Sequence, residues 1–259
     1  MSTTRKCLII GNWKCNGTIS STNALAKGVI EGLAKIDTKA VDVLVAPSMV
    51  HLLSVSALSN GSKLQVCSQN VSANPCGAFT GEVSADQLID AGIEWTIIGH
   101  SERRQSHKIQ SFETDKLIAQ KVSISQLKGM NVCVCIGETE AERKEGKTFK
   151  VLENQIKSVL PSISSWERFS FAYEPLWAIG TGNTASAEQA QEVHDHVRKF
   201  LAKQKGEKIA SQTRICYGGS VKPKNCKELI AQKDIDGFLV GGASLTPESF
   251  LPVIQSATK

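Results

Sequence analysis

The run Ala172-Tyr173-Glu174-Pro175-Leu176-Trp177-Ala178-Ile179-Gly180-Thr181-Gly182 sets a single carboxylate at the end of a short apolar segment. Phe169 to Tyr173 reads as a buried strand. Pro175 stops it, because its ring fixes φ and it has no N–H to donate. Two bulky apolar residues follow, and then Gly180-Thr181-Gly182, which can absorb large dihedral changes. This order suits a general base followed by a hinged lid with an apolar face. A strand running into a surface turn, with Glu174 solvated, fits the same residues.

Three further sets could work with such a base. His100 follows an apolar run and opens Ser101-Glu102-Arg103-Arg104, a short helix start. The positive end of a helix dipole disfavours imidazolium, which would leave a neutral ring able to donate one N–H. A structural histidine bonded to backbone is the alternative. Lys14 stands two residues after the amide Asn12. It is either an ordinary surface lysine or a counter-charge for an anionic ligand, with Asn12 holding it or bonding that ligand. Gly218-Gly219-Ser220 and Gly241-Gly242-Ala243-Ser244 each place glycines ahead of a small polar residue and a helical segment. Such turns let backbone N–H groups approach an anion, and a following helix N-terminus favours it.

The elements that must position these residues recur along the chain. Eight β-rich apolar runs stand at Cys7–Ile10, Val41–Val45, Leu64–Cys67, Trp95–Ile98, Val132–Ile136, Phe169–Tyr173, Arg214–Tyr217 and Gly237–Val240. Their spacing is that of βα units rather than hairpins. Most lack polar alternation, as strands buried on both faces of a parallel sheet should. Between them the helical pattern predicts helices over Ser21–Ile36, Glu113–Lys128, Ser186–Gln204, Lys222–Ala231 and Pro247–Ile254. Ser186 and Gln189 read as a capping box. A chain of 259 residues with this alternation points to an α/β protein, a single (β/α)8 barrel over residues 1–259. A doubly wound open sheet is the alternative. Active sites of such barrels form at the C-terminal strand ends, and loops seven and eight often bind phosphate. Asn12, Lys14, His100, Glu174, Ser220 and both glycine pairs follow strands in this scheme. His51, His107, His194 and His196 fall outside the strand-end set and are expected to pack or face solvent.

Composition excludes several other classes. The formal charge is +5, without a Lys/Arg block dense enough for a nucleic-acid arm. A mild positive excess is compatible with a small anionic substrate. The longest apolar runs fall well short of the ~18 residues of a membrane span. Residues 1–6 are too short and polar for a signal peptide, so a cytoplasmic protein is expected. The eight cysteines are then reduced thiols rather than a disulfide frame. Cys133 and Cys135 face one way along a strand, but no partner pair has zinc-site spacing, so packing is expected and no metal.

Taken together, the motifs resemble the triosephosphate isomerase family. The stretches that carry the resemblance are Gly11-Asn12-Trp13-Lys14-Cys15-Asn16-Gly17, Gly77-Ala78-Phe79-Thr80-Gly81-Glu82, Ile98–Arg104, Ala172–Gly182, Tyr217–Ser220 and Gly237–Gly242. They span nearly the whole chain, in the family's order. The resemblance implies a TIM barrel that interconverts dihydroxyacetone phosphate and D-glyceraldehyde 3-phosphate through an enediolate, without metal or cofactor. Glu174 would be the base and neutral His100 the hydrogen-bond donor, a pairing carried over from the family. Lys14 would add positive charge, and Asn12 would help bind the substrate. Gly180, Ser220, Gly241 and Gly242 would cradle the phosphate, and Glu102 would match a buried supporting carboxylate. Pro175 to Gly182 would close as a lid. The loop carrying Phe79 and Thr80 would reach a second subunit near Cys15 and Lys14, making a homodimer. In isolation the same loop reads as a turn with Phe79 tucked in. A barrel that had lost activity and serves as a binding scaffold is the alternative function.

The chain departs from the family pattern in two places. Gln105 to Ser111 intervene before Phe112-Glu113, an apparent surface-loop insertion, where added length costs little. The lid carries Leu176 and Asn183 where valine and lysine are common.

Overall fold

The computed structural model describes residues 5–104, 112–179 and 184–258. Eight parallel strands, β1 (Cys7–Asn12), β2 (Val41–Ala46), β3 (Leu64–Ser68), β4 (Trp95–Ile98), β5 (Asn131–Ile136), β6 (Phe169–Tyr173), β7 (Arg214–Tyr217) and β8 (Gly237–Val240), pair in sequential order into a closed barrel. The eight apolar runs are these strands, with ends shifted by two residues at most. β1 closes the ring by pairing with β2 on one side and β8 on the other, Leu8 opposite Gly237. That seam needs a glycine. Gly237 has φ +142°, and a Cβ there would stand 1.9 Å from the Leu8 carbonyl oxygen.

Alternate residues of each strand face opposite apolar layers. Leu8 and Ile10 join Leu44, Cys67, Trp95, Ile97 and Leu239 inside the barrel. Ile9, Val43, Val45, Val132 and Val134 pack outward against the helices. Both faces are therefore dry, which is why the strands show no polar alternation. Cys133 and Cys135 lie in the inner layer with Cys67 and Cys216. All four are buried and free, and burial pushes each thiol's pKa up. Their role here is packing. Among the described residues no cluster of three or more His, Cys, Asp or Glu could hold a metal ion.

The outer layer comprises α1 (Ile19–Leu33), α2 (Leu52–Ser59), α3 (Ala85–Asp90), α4 (Ser101–Arg104), α5 (Asp115–Leu127), α6 (Glu140–Lys144), α7 (Thr148–Val159), α8 (Ala187–Lys205), α9 (Glu207–Gln212), α10 (Cys226–Ile230) and α11 (Pro247–Ser256). Side-chain caps fix many of their starts. Ser186 and Gln189 form the expected capping box on α8, and Thr18 with Ser21 forms another on α1. α1 therefore begins before Ser21, where the sequence pattern started it, and Ser21 is its N3 residue. α10 is shorter than the sequence pattern predicts. Asn225 bonds the Lys222 amide through its side-chain oxygen and the Ser220 carbonyl through its amide nitrogen, so Lys222 to Asn225 form a turn. No helix among the described residues is long and apolar enough to cross a membrane.

Candidate active site

Glu174 leaves the end of β6 into a slot between two neighbouring strand ends. Its amide donates to the Ile136 carbonyl of β5 at 2.7 Å, and Gly218 after β7 donates to the Tyr173 carbonyl at 2.7 Å. A Cβ at Gly137 would stand 1.9 Å from the Glu174 carbonyl oxygen, and one at Gly218 would stand 2.9 Å from Glu174 Cγ. Glycine on both sides is thus a condition of the carboxylate's placement. The side chain is buried rather than solvated.

His100 and Ser101 converge on that carboxylate from β4. His100 Nε2 lies 3.0 Å from Glu174 Oε1. The Ser101 amide donates to Oε2 at 2.9 Å, and its hydroxyl reaches Oε1 at 3.4 Å. His100 Nδ1 accepts the Glu102 amide N–H at 3.2 Å. An acceptor at Nδ1 puts the neutral ring's proton on Nε2, facing Glu174. The helix end thus acts on the ring through one direct hydrogen bond. Burial is the largest influence on each partner, raising the Glu174 pKa and lowering that of His100. The attraction between the two outweighs it, so Glu174 is held below the usual carboxylate value and His100 above the usual imidazole value. This is opposite to the effect expected of the helix start: without substrate, Glu174 favours the imidazolium, and protonation at Nδ1 would cost the bond from the Glu102 amide.

Lys14 approaches from β1. Its φ of +52° is the one left-handed value at a non-glycine position among the described residues. Such a conformation costs ~1–3 kcal/mol and persists only when its surroundings enforce it. Asn12 Oδ1 accepts the Lys14 amide at 3.0 Å, and Gln69 Nε2 donates to the Lys14 carbonyl at 2.9 Å and the Ala46 carbonyl at 2.8 Å. Lys14 Nζ then meets Glu102 Oε1 at 2.9 Å. Glu102 is not the buried carboxylate the resemblance implied, since half of its side chain is exposed. The single turn of α4 points the Ser101 amide inward to Glu174 and leaves Glu102 on the rim, where Lys14 holds it.

Asn12, Lys14, His100, Glu102, Glu174 and the turns of Ser220 and Gly241-Gly242 all line one cavity of about 900 Å³ at the barrel mouth. A Cβ on Gly242 would meet no atom within 4 Å, so that backbone is bare toward open space. Gly180, also expected here, lies outside the described residues, as do Thr181 to Asn183 and the stretch Gln105 to Ser111. Arg103 and Arg104, which precede that stretch in the sequence, are both engaged. Arg103 bonds Glu113 Oε1 at 2.8 Å, and Arg104 bonds the Gly99 carbonyl and Asp115.

Sequence reasoning missed two residues that support this geometry. Gln69 was visible as a strand-end amide without an assigned task. Glu138, fully buried after β5, accepts the Tyr173 hydroxyl at 3.1 Å and the Trp177 indole N–H at 3.0 Å through Oε1. Its carbonyl accepts the Leu176 amide at 3.2 Å. Arg143 reaches the same carboxylate at 3.4 Å and stacks 4.3 Å from the Trp177 ring. The first turn of the expected lid is therefore moored to β5. The signal was a carboxylate in the strand-end run Gly137-Glu138-Thr139, but Tyr173 and Trp177, the partners that give it this task, lie more than thirty residues away.

The family model for triosephosphate isomerase matches residues 7–257. The chain belongs to the triosephosphate isomerase family. It is 46% identical over 254 residues to the cytosolic triosephosphate isomerase of Oryza sativa subsp. japonica, covering 98% of each chain. It is 44% identical to the triosephosphate isomerase of Neurospora crassa, over 97% of this chain and 98% of that one. The chloroplastic triosephosphate isomerase of Secale cereale is 45% identical over all of this chain and 84% of its own. Triosephosphate isomerase motifs thus lie within a likeness that extends over almost every residue.

Proposed function

We propose that this chain interconverts dihydroxyacetone phosphate and D-glyceraldehyde 3-phosphate, as a triose-phosphate isomerase of glycolysis and gluconeogenesis. The observation that carries the reading is the 3.0 Å approach of His100 Nε2 to Glu174 in the cavity that also holds Lys14 and the glycine turns. Ionised Glu174 takes a proton from the carbon beside the carbonyl, and the bond's electron pair becomes the enediolate. The same proton returns to the neighbouring carbon. The Nε2–H that Glu174 now accepts is the hydrogen that a substrate oxygen would take as charge develops on it. Lys14 adds positive charge on the same side, steadied by Asn12 and Glu102. Ser220, Gly241, Gly242 and, in our reading, Gly180 bind the phosphate through backbone amides. The 175–182 segment closes over the intermediate, because an exposed enediolate phosphate expels phosphate before reprotonation.

A homodimer accompanies this reading. Cys15, Phe79 and Thr80 are exposed, and Phe79 stands out of its turn at 42% exposure rather than tucked in. Met49 and Val50 also present apolar side chains to solvent. A second copy of the chain would cover these exposed side chains. The free thiols suit a reducing compartment, which we take to be the cytosol.

A coupled assay on the purified protein tests the main reading. Isomerisation of glyceraldehyde 3-phosphate is expected, with loss on replacing Glu174. No turnover would return the inactive scaffold to favour; no observation favours it here.

A further inference from the structure

The cavity at the barrel mouth is not symmetric in charge. Two carboxylates line it, and both are engaged: Glu102 with Lys14 at 2.9 Å, and Glu174 with His100 at 3.0 Å. Two further lysines, Lys222 and Lys224, stand on its rim just beyond Ser220. Both are exposed, and neither forms an ion pair with any described residue. The residues outside the described set include no Asp or Glu. Among the described residues both lysines therefore add charge without an ion-pair partner to the cavity that the glycine turns also line.

The backbone that carries them is fixed. Asn225 clamps the segment at both ends, accepting the Lys222 amide at 2.8 Å and donating to the Ser220 carbonyl at 2.9 Å. The Lys222 carbonyl accepts the Asn225 and Cys226 amides at 3.1 and 3.0 Å. Pro223 removes a degree of freedom between the two lysines. A clamped loop presents its charges at one place instead of averaging them over a mobile tip.

We propose that Lys222 and Lys224 form a cationic lip that captures the phosphate of the substrate and passes it to the turns of Ser220 and Gly241-Gly242. This rests on the isomerase reading above and adds two specificity-determining residues to it. Neither lysine touches the reacting carbons. Both act on the charged end of the substrate, so a ligand lacking the phosphate gains nothing from them. Field focused by a low-dielectric cleft raises the encounter rate of an anion, and salt screens it.

The test compares the parent protein with K222Q, K224Q and the double variant at several sodium chloride concentrations. At ~10 mM ionic strength, kcat/KM for glyceraldehyde 3-phosphate is expected to fall about 10- to 20-fold in the double variant, at the low end of the range for charged clefts. kcat should move far less. The deficit should shrink below about twofold at ~1 M salt, where the Debye length is ~3 Å. Inorganic phosphate should inhibit the double variant more weakly by a similar factor, and turnover of unphosphorylated glyceraldehyde should match the parent's. The single variants keep Asn225 and its bonds and carry the test if the double variant does not fold. A loss that salt does not diminish, or equal losses with both substrates, overturns the lip. Failure of the parent to isomerise the phosphorylated triose would instead refute the reading on which the lip depends.

Discussion

Nε2 of His100 faces Oε1 of Glu174 at 3.0 Å while Nδ1 of the same ring accepts the Glu102 amide at 3.2 Å. One imidazole is thereby held at both nitrogens, and the hydrogen it shares with the carboxylate is fixed in position. The arrangement needs β4 and β6, which are not adjacent, to deliver their ends to one point.

Replacing Glu174 by Gln removes the base but keeps most of the packing. Turnover is expected to fall by ~10²–10⁴, the usual contribution of a general base. Glu174→Asp keeps the charge but draws it back by about one carbon–carbon bond, which should cost roughly 10²-fold. Steady-state kinetics of both variants checks this; equal turnover in Glu174→Asp and the parent would remove Glu174 from the mechanism.

The His100–Glu174 pair should also register in stability against pH. Glu174 is lowered from 4.5, so its contribution is present above that value and lost as pH falls through the folded pKa. His100 is raised from 6.5, so its contribution is full below that value and lost as pH rises through the folded pKa. The stability gap between the parent and Glu174→Gln is expected to be widest between about pH 4.5 and 6.5. Urea unfolding at a series of pH values measures it, and a flat gap would contradict the coupling.

Trp177→Phe deletes the indole N–H that Glu138 accepts and weakens the Arg143 stack. A hydrogen bond of this kind is worth ~0.5–1.5 kcal/mol, more if the carboxylate is left short of donors. The lid should then seat less well. A severalfold lower kcat is expected, with more inorganic phosphate released per turnover as the intermediate escapes. Phosphate release measured beside isomerisation distinguishes this from simple loss of folded protein.

Gln69→Leu removes the side-chain donor of the Lys14 carbonyl and leaves the Ala46 carbonyl with the Trp13 amide alone. An unfolding stability lower by ~1–3 kcal/mol is expected. Activity should drop beyond what the folded fraction explains, because the left-handed Lys14 loses the bond that enforces it. Chemical denaturation and kcat on the same preparation separate the two effects.

Thr80→Glu places a charge next to the exposed Phe79. Both self-association and turnover are expected to weaken. Sedimentation and kinetics check it, and a variant unchanged in both would rule out this loop as the dimer contact.

The strands were readable in the sequence because burial on both faces leaves uninterrupted apolar runs, and those runs gave the barrel and its strand ends. Glu174, His100 and the glycine turns followed from the strand ends. Local capping was legible for the same reason that Ser186 and Gln189 are neighbours. What escaped depends on distant partners. Gln69 acts on Lys14, and Glu138 acts on Tyr173 and Trp177, and no local pattern encodes either pairing. Glu102 was placed in the interior by likeness alone, while the tight turn of α4 sends it to the rim. The helix expected from Lys222 starts at Cys226 because the Asn225 side chain competes for the backbone.

The walls beside Glu174 are main chain, with Gly137 and Gly218 leaving no room for a Cβ. Residue changes at those two positions would displace the carboxylate itself rather than tune it. Should descendants of this scaffold drift toward another reaction, the accessible mutational paths would start among the surrounding loops. The innermost shell is evolutionarily brittle, whereas the rim offers the room for innovation.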